Sequence, residues 1–335
     1  MADGRPLLVI APNWLGDAVM ALPAIADLKR GFADRPLFVA ARASVSSLFT
    51  MVPAVDRVLA QEKSAIHALQ PSIAVLFPNS FASAWLVRRA QVPDRWGYAT
   101  DLRTRLLTRA IRRPTQSMHQ GEYYQHLLRE LGVATGPLEP AVAIPPAALE
   151  DARRLLARHG WHENTPLIVL APGAAYGKAK QWIPAHVVRL VTALVHERGF
   201  ICALIGSRGD AATTRFICDA VPQGGQPRIL DLAGATTLPV LAAVISLAAA
   251  CVSNDSGAMH LSAAVGVPVV GIFGPTNEKA TSPLAHAGVP TDVLTNPVWC
   301  RPCMLRECPI DHRCMTGIEP ARVLAAVDRV ARVSA

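Results

Sequence analysis

Asn254-Asp255-Ser256-Gly257-Ala258-Met259-His260 follows an apolar run and precedes a small-residue helix, so it reads as a strand-to-helix turn. Upstream, 238–252 carries the pattern of a helix and then a short buried strand; downstream, 258–265 reads as a helix leading into a strand at 268–273. Such a turn exposes first-turn amides to an anion, with Asp255 or Ser256 as the helix cap. An ordinary N-cap in a parallel α/β domain explains the same seven residues equally well.

The alternation of strand and helix extends along nearly the whole chain, the pattern of doubly wound parallel sheets. In the first half the expected strands are 7–11, 37–41, 57–59 and 73–77, with a helix at 18–30 and a mainly helical stretch over 101–132. In the second half they are 167–171, 201–205, 228–230, 251–253 and 267–272. The Gly- and Pro-rich stretch 132–146 is the linker candidate, followed by a helix at 147–159. This divides the 335 residues into two Rossmann-like domains, 1–160 and 161–335.

Composition narrows the function classes. With 51% hydrophobic and 17% charged residues the chain suits sheets buried on both faces, not disorder. The formal charge of +8 does not imply nucleic acid, because residues 84–113 hold eight arginines against two aspartates and so most of the excess. Those arginines, 88, 89, 95, 103, 105, 109, 112 and 113, form either a surface for anionic headgroups and phosphorylated substrates or a solvated face. The amino-terminal stretch lacks a signal-peptide pattern and 238–252 is short for a membrane span, so a cytoplasmic protein is expected.

Four positions stand out chemically. Asp17 lies just past the first strand, where an open α/β sheet places ligands, and is either a general base or a helix cap. Asn13 precedes it in the same turn. The loop Pro172-Gly173-Ala174-Ala175-Tyr176-Gly177-Lys178-Ala179-Lys180-Gln181-Trp182 offers small residues and two lysines to a phosphate, but lacks the spacing and hydroxyl of a Walker A loop. No G-x-G-x-x-G follows the first strand of either half, against a dinucleotide oxidoreductase. In Gly206-Ser207-Arg208-Gly209-Asp210, Asp210 suits a ribose hydroxyl or a helix cap. Finally, Cys300, Cys303, Cys308 and Cys314 enclose His312; their spacing permits zinc but departs from paired C-x2-C, and reduced or redox-labile thiols in a packed loop are favoured. Cys202, Cys218 and Cys251 read as core residues.

The Gly16-Asp17 turn, the Pro172-Gly173 loop with Lys180-Gln181-Trp182, and Ser253 through His260 together resemble the heptosyltransferases of glycosyltransferase family 9. Gly271-Ile272-Phe273-Gly274-Pro275-Thr276, His119-Gln120-Gly121-Glu122-Tyr123-Tyr124 and Trp299-Cys300-Arg301-Pro302-Cys303 through Cys314-Met315 extend the resemblance over nearly the full chain. It implies a GT-B architecture, two Rossmann-like domains facing a cleft, and inverting transfer of heptose from ADP-L-glycero-β-D-manno-heptose to the heptose of the lipopolysaccharide inner core. Asp17 is then the base and Lys180 supports the leaving diphosphate, with Lys178 as the competing contact. The implied donor site comprises Gly173, Lys178, Ser207, Asp210, Asn254, Asp255, Ser256, Gly257, Ala258 and His260, although His260 also suits a hydrogen-bonded core role. The implied acceptor site comprises Asn13, Arg109, Arg112, Arg113 and His119, with peripheral contact at the cytoplasmic face of the inner membrane. No cofactor is implied for catalysis. A nucleotide-sugar 2-epimerase and a non-catalytic nucleotide-sugar-binding protein are the alternatives.

Overall fold

The computed structural model describes residues 4–222, 224–225 and 228–332. The chain forms two compact units, one up to Ala143 and one from Ile144. Each is built on a six-stranded parallel sheet.

In the first unit the strands are β1 (Leu7–Ile10), β2 (Leu37–Ala41), β3 (Arg57–Ala60), β4 (Ile73–Leu76), β5 (Asp94–Tyr98) and β6 (Arg109–Ile111), in the order β3-β2-β1-β4-β5-β6. The second contains β7 (Leu167–Ala171), β8 (Ile201–Leu204), β9 (Ile229–Asp231), β10 (Ala250–Asn254), β11 (Val269–Phe273) and β12 (Thr291–Thr295), in the order β12-β11-β10-β7-β8-β9. In chain order within its unit, each sheet is therefore 3-2-1-4-5-6, the doubly wound pattern. Its direction of winding reverses between the two central strands, and the loops leaving them open a crevice for ligand. Those loops are 11–14 and 77–80 in the first unit and 172–182 and 255–256 in the second.

The central strands are apolar up to Ser253 and Asn254 at the end of β10 because helices cover both faces: β1, β4, β7 and β10 are buried at every position. On one face of the second sheet, Leu190, Val191 and Leu194 of helix Pro184–His196 meet Val323, Ala326 and Val327 of helix Pro320–Val330. Helix Gly257–Ala264 is buried over most of its length, which explains a sequence of small residues with little amphipathic contrast.

Several expectations need correction. The helix expected at 18–30 is two, Leu15–Met20 and Leu22–Gly31, with Pro23 in the first turn of the second, where its missing N–H costs no helical bond. Residues 101–132 are not mainly helical: a short 3-10 turn at Thr104–Leu106 and edge strand β6 come first, and only Gln120–Glu130 is an α-helix. Pairing with β5 overrides the weak strand propensity of β6. The division between units falls before the helix Pro146–Arg158, which packs on helix Leu238–Ser246 of the second unit. The linker candidate is fixed where it leaves the first unit: buried Asp27 accepts from the Gly136 amide at 3.0 Å and from Gln125 Nε2 at 2.8 Å, and pairs with Arg30.

The arginine-rich stretch does not form a uniform surface. Arg103 is fully buried and serves the fold, donating to the carbonyls of Tyr98 (2.9 Å) and Pro78 and to Ser83 Oγ (3.2 Å). Burial lowers its pKa to about 10. Arg95 likewise donates to the carbonyls of Val92, Pro93 and Leu106. The other six are exposed.

Candidate functional site

The second unit gathers its polar residues where β7 and β10 end. Asn254 closes β10 and laces the two loops together: its Nδ2 donates to the carbonyls of Pro172 (2.9 Å) and Gly173 (3.1 Å), and its Oδ1 accepts from the Trp182 amide (3.1 Å). Trp182 is itself buried, with its indole N–H on the Ile318 carbonyl at 2.9 Å. Asn254 is thus a structural clamp on the 172–182 loop.

Clamping that loop brings Lys180 to Asp255. Lys180 Nζ lies 2.6 Å from Asp255 Oδ2, and Thr276 Oγ1 donates to the same oxygen at 2.7 Å. The Asp255 and Lys180 side chains are only 5% and 15% exposed, so this is a nearly desolvated pair closed by a hydroxyl. The Nζ also stands 4.8 Å from the centroid of the Tyr176 ring, a cation–π contact that keeps the ammonium at the loop. Lys178, by contrast, is exposed.

Asp255 does not cap the helix that follows it. Ser256 occupies the N-cap position with extended backbone and makes no side-chain cap bond; its hydroxyl lies 2.9 Å from that of Ser253. The first-turn amides from Gly257 and Ala258 onward are therefore not taken by a capping side chain, and the positive end of the helix dipole lies beside Lys180 and Asp255. His260 lies within this helix, 3% exposed, among core residues.

The glycine at 173 is required sterically. A Cβ there would overlap the Asp210 carboxylate, which is held by the Ser207 amide at 2.8 Å and the Ser207 hydroxyl at 2.7 Å. Ser207 and Asp210 thus form a capping box beside Gly173, the capping alternative for this pair.

The cysteine segment braces the same site. The Ala179 amide donates to the Arg306 carbonyl at 2.9 Å, His312 Nε2 lies 2.6 Å from the Ala179 carbonyl, and Tyr176 OH donates to the Met304 carbonyl at 2.8 Å. Gly177 is needed because a Cβ would collide with the Arg306 backbone. From the other side, Arg301 donates to the carbonyls of Gly274 (2.5 Å) and Thr276 (3.0 Å) and pairs with Glu278 at 2.8 Å. Thr276 and Arg301 lie in stretches that carry the family resemblance and His312 lies within the cysteine cluster, but only the approach of distant segments reveals what they do. Cys300, Cys303, Cys308 and Cys314 border one pocket with His312. Among the described residues, no three His, Cys, Asp or Glu side chains are grouped to hold a metal ion.

In the first unit, the helix Leu15–Met20 follows β1 and carries Asp17 in its first turn. Helix Gln120–Glu130 packs against it and brings up Tyr124, a fully buried phenol whose pKa is raised first by desolvation and then by the Asp17 charge. Tyr124 also packs on Phe77, with ring centroids 5.0 Å apart, and so joins the loops leaving β1 and β4. His119 caps the same helix, its Nδ1 accepting from the Gly121 amide at 3.1 Å while Glu122 returns to the His119 amide at 3.3 Å. Asn13 Oδ1 is buried without a hydrogen-bond partner.

Of the three candidate acceptor arginines, Arg113 lies nearest this edge, its guanidinium 5.7 Å from the Tyr123 ring centroid; Arg112 is exposed beside it. Arg109 begins β6, at the opposite end of that strand, and covers Trp96 at 4.8 Å. The structure does not bring it to the Asp17 edge of the sheet.

Comparison with known proteins bears on the family and the fold. Residues 63–313 match the family described as glycosyltransferase family 9 (heptosyltransferase). The chain is 29% identical over 308 residues to lipooligosaccharide heptosyltransferase 2 of Haemophilus ducreyi, covering 84% of this chain and 87% of that one. It is 29% identical over 300 residues to lipopolysaccharide heptosyltransferase 2 of Salmonella typhimurium, covering 84% and 86%. Among solved structures, the E. coli ADP-heptose lipopolysaccharide heptosyltransferase II superposes with a TM-score of 0.83 at 26% identity, over 97% of this chain and 98% of that one. Two doubly wound parallel sheets, their GT-B counterpart among solved structures and the family match across most of the sequence lead to one conclusion: the chain belongs to glycosyltransferase family 9, the heptosyltransferases.

Proposed function

We propose that the protein transfers heptose from ADP-L-glycero-β-D-manno-heptose to the heptose of the lipopolysaccharide inner core, inverting the anomeric configuration. The observation that carries this reading is the convergence of Lys180, Asp255, Thr276 and the first-turn amides of helix Gly257–Ala264 at the switch point of the second sheet, in a chain whose relatives are heptosyltransferases.

The Asp17 carboxylate takes the proton of the acceptor hydroxyl as its oxygen bonds to the anomeric carbon. The bond from that carbon to the β-phosphate oxygen breaks, and its electron pair leaves with ADP. Lys180 and the amides near Ser256, Gly257 and Ala258 balance the charge that develops on the diphosphate. Lys180 is the principal phosphate contact in this reading, and exposed Lys178 is auxiliary. Asp255 orients Lys180, while Gly173, Asn254, His260 and the Ser207–Asp210 box shape the donor loops. Asn13, Arg112, Arg113 and His119 face the acceptor, and Arg109 supports the β6 edge through Trp96. No metal is required in this scheme.

The test is to incubate the purified protein with ADP-heptose and truncated cores carrying no heptose or one heptose, and to weigh the products. One added heptose on the one-heptose core alone supports the assignment. In Asp17→Asn, turnover should fall about 10²- to 10⁴-fold with donor affinity retained, because an amide keeps the size but is no base. Wild-type turnover in that variant removes Asp17 from its role.

A further inference from the structure

We propose that the outer face of helix Phe81–Arg89, together with the turn at Leu102, docks the first unit on an anionic lipid surface. This rests on the reading above, in which the acceptor is lipid-borne.

The helix buries Ser83, Ala84 and Val87. Positions 81, 85, 88 and 89, at spacings of four, seven and eight, form the opposite stripe. There Phe81 and Trp85 are each 46% exposed, their rings nearly parallel with centroids 6.2 Å apart. Two large aromatics thus stack outside a helix whose inner face is already filled.

A third exposed apolar group stands on a turn anchored to the same helix. Asp101 and Leu102 both adopt left-handed backbone, with φ of 47° and 57°, and Leu102 is 95% exposed. The next residue, Arg103, is fully buried and bonded to Ser83 Oγ, the Pro78 carbonyl and, at 3.4 Å, the Ser80 carbonyl. A buried cation therefore ties the turn to the amino-terminal end of the aromatic helix, and the tip of that turn is a leucine pointing into solvent. Left-handed backbone at a non-glycine residue is unfavourable unless its surroundings hold it, and here the anchor sits directly next to the exposed side chain.

Charge selects the occupant. Arg88 and Arg89 end the helix and Arg105 follows the turn, all three exposed, while the helix contains no acidic residue. A second copy presenting the same patch about a twofold axis would set arginines against arginines. An anionic bilayer satisfies both parts of the surface: the indole and phenyl rings enter the interfacial layer and the long arginine side chains reach lipid phosphates.

Sedimentation of the full chain with vesicles tests this. The wild type should bind phosphatidylcholine vesicles containing about a third phosphatidylglycerol and leave those of phosphatidylcholine alone unbound. Phe81→Ser/Trp85→Ser/Leu102→Ser, checked for wild-type circular dichroism, should bind at least about tenfold more weakly. Arg88→Gln/Arg89→Gln should lose about fivefold for each charge. The serine variant should transfer heptose normally to a delipidated soluble acceptor and poorly to a vesicle-embedded one. Absent vesicle binding by the wild type, undiminished binding by the serine variant, or a wild-type dimer that this variant converts to monomer would overturn the proposal. Wild-type binding to vesicles without transfer to either acceptor would instead remove the assigned activity and leave the docking surface standing.

Discussion

Replacing Lys180 by Met isolates the charge of the Lys180–Asp255 pair, since Met preserves most of the aliphatic stem and removes the ammonium that stands over Tyr176. Asp255 would then remain 5% exposed with Thr276 as its side-chain donor. Removing one partner of a buried pair costs about 3–5 kcal/mol; the 15% exposure of Lys180 argues for the lower end, about 3 kcal/mol. For a unit of this size that corresponds to a Tm lower by about 6–12 °C in the calorimetric transition of the second unit. Donor affinity should also fall about tenfold to a hundredfold, through the loss of one charge-assisted contact. Lys180→Met/Asp255→Asn separates the two effects. With no orphan carboxylate left, and an amide oxygen still able to accept from Thr276, Tm should recover most of the loss while affinity for ADP-heptose does not. A single variant within about 2 °C of wild type, or a double variant no more stable than the single, would refute the claim that this pair is a coupled, desolvated unit.

Three further outcomes are expected. Arg113→Gln should raise the apparent KM for phosphorylated acceptor and weaken its salt dependence, whereas Arg109→Gln should lower Tm and leave that KM unchanged; the reverse pattern would exchange their roles. Burial raises the Asp27 pKa above 3.8, so its contribution to stability is fully present below that value and declines as pH rises through the raised pKa. Asp27→Asn should therefore flatten Tm against pH across this acidic range, and an unchanged slope would assign the dependence elsewhere. Native-state alkylation should label exposed Cys303 and Cys308 first and spare Cys202 and Cys251, whose buried thiols have pKa values pushed up, to about 12 in Cys251; rapid labelling of either buried thiol by mass spectrometry would contradict the fold of the second sheet.

The central strands were readable from sequence because burial on both faces makes them nearly uninterrupted apolar runs. Residues 37–41 and 167–171 have the expected bounds. The segments Asp94–Tyr98, next to the edge, and Arg109–Ile111, the edge strand, were not readable, since they contain charged residues and glycine and become strands through partners already in place. The same distinction applies to the site. Gly173, Lys180 and the 254–258 turn announce themselves at strand ends. Thr276, which completes the Asp255 cluster, and Arg301 and His312, which hold its loops, act from other parts of the chain through contacts no local pattern encodes. The arginine cluster shows the opposite error: composition offered either an anion-binding surface or a solvated face for all eight, but backbone carbonyls claim Arg95 and Arg103.

The pairing of Lys180 with Asp255 bears on selectivity among anions. With Asp255 at 2.6 Å from Lys180, the 172–182 loop offers solvent a nearly cancelled charge, so a small free anion such as inorganic phosphate gains little by approaching it. A competing ligand must draw the ammonium away from a carboxylate and also give something back, and only one with further groups for the neighbouring amides and loops does both. On the proposed reading of this loop as the donor site, the ion pair acts as a threshold against the abundant small anions of a cell and leaves the lysine in place for a diphosphate that brings a nucleoside on one side and a sugar on the other.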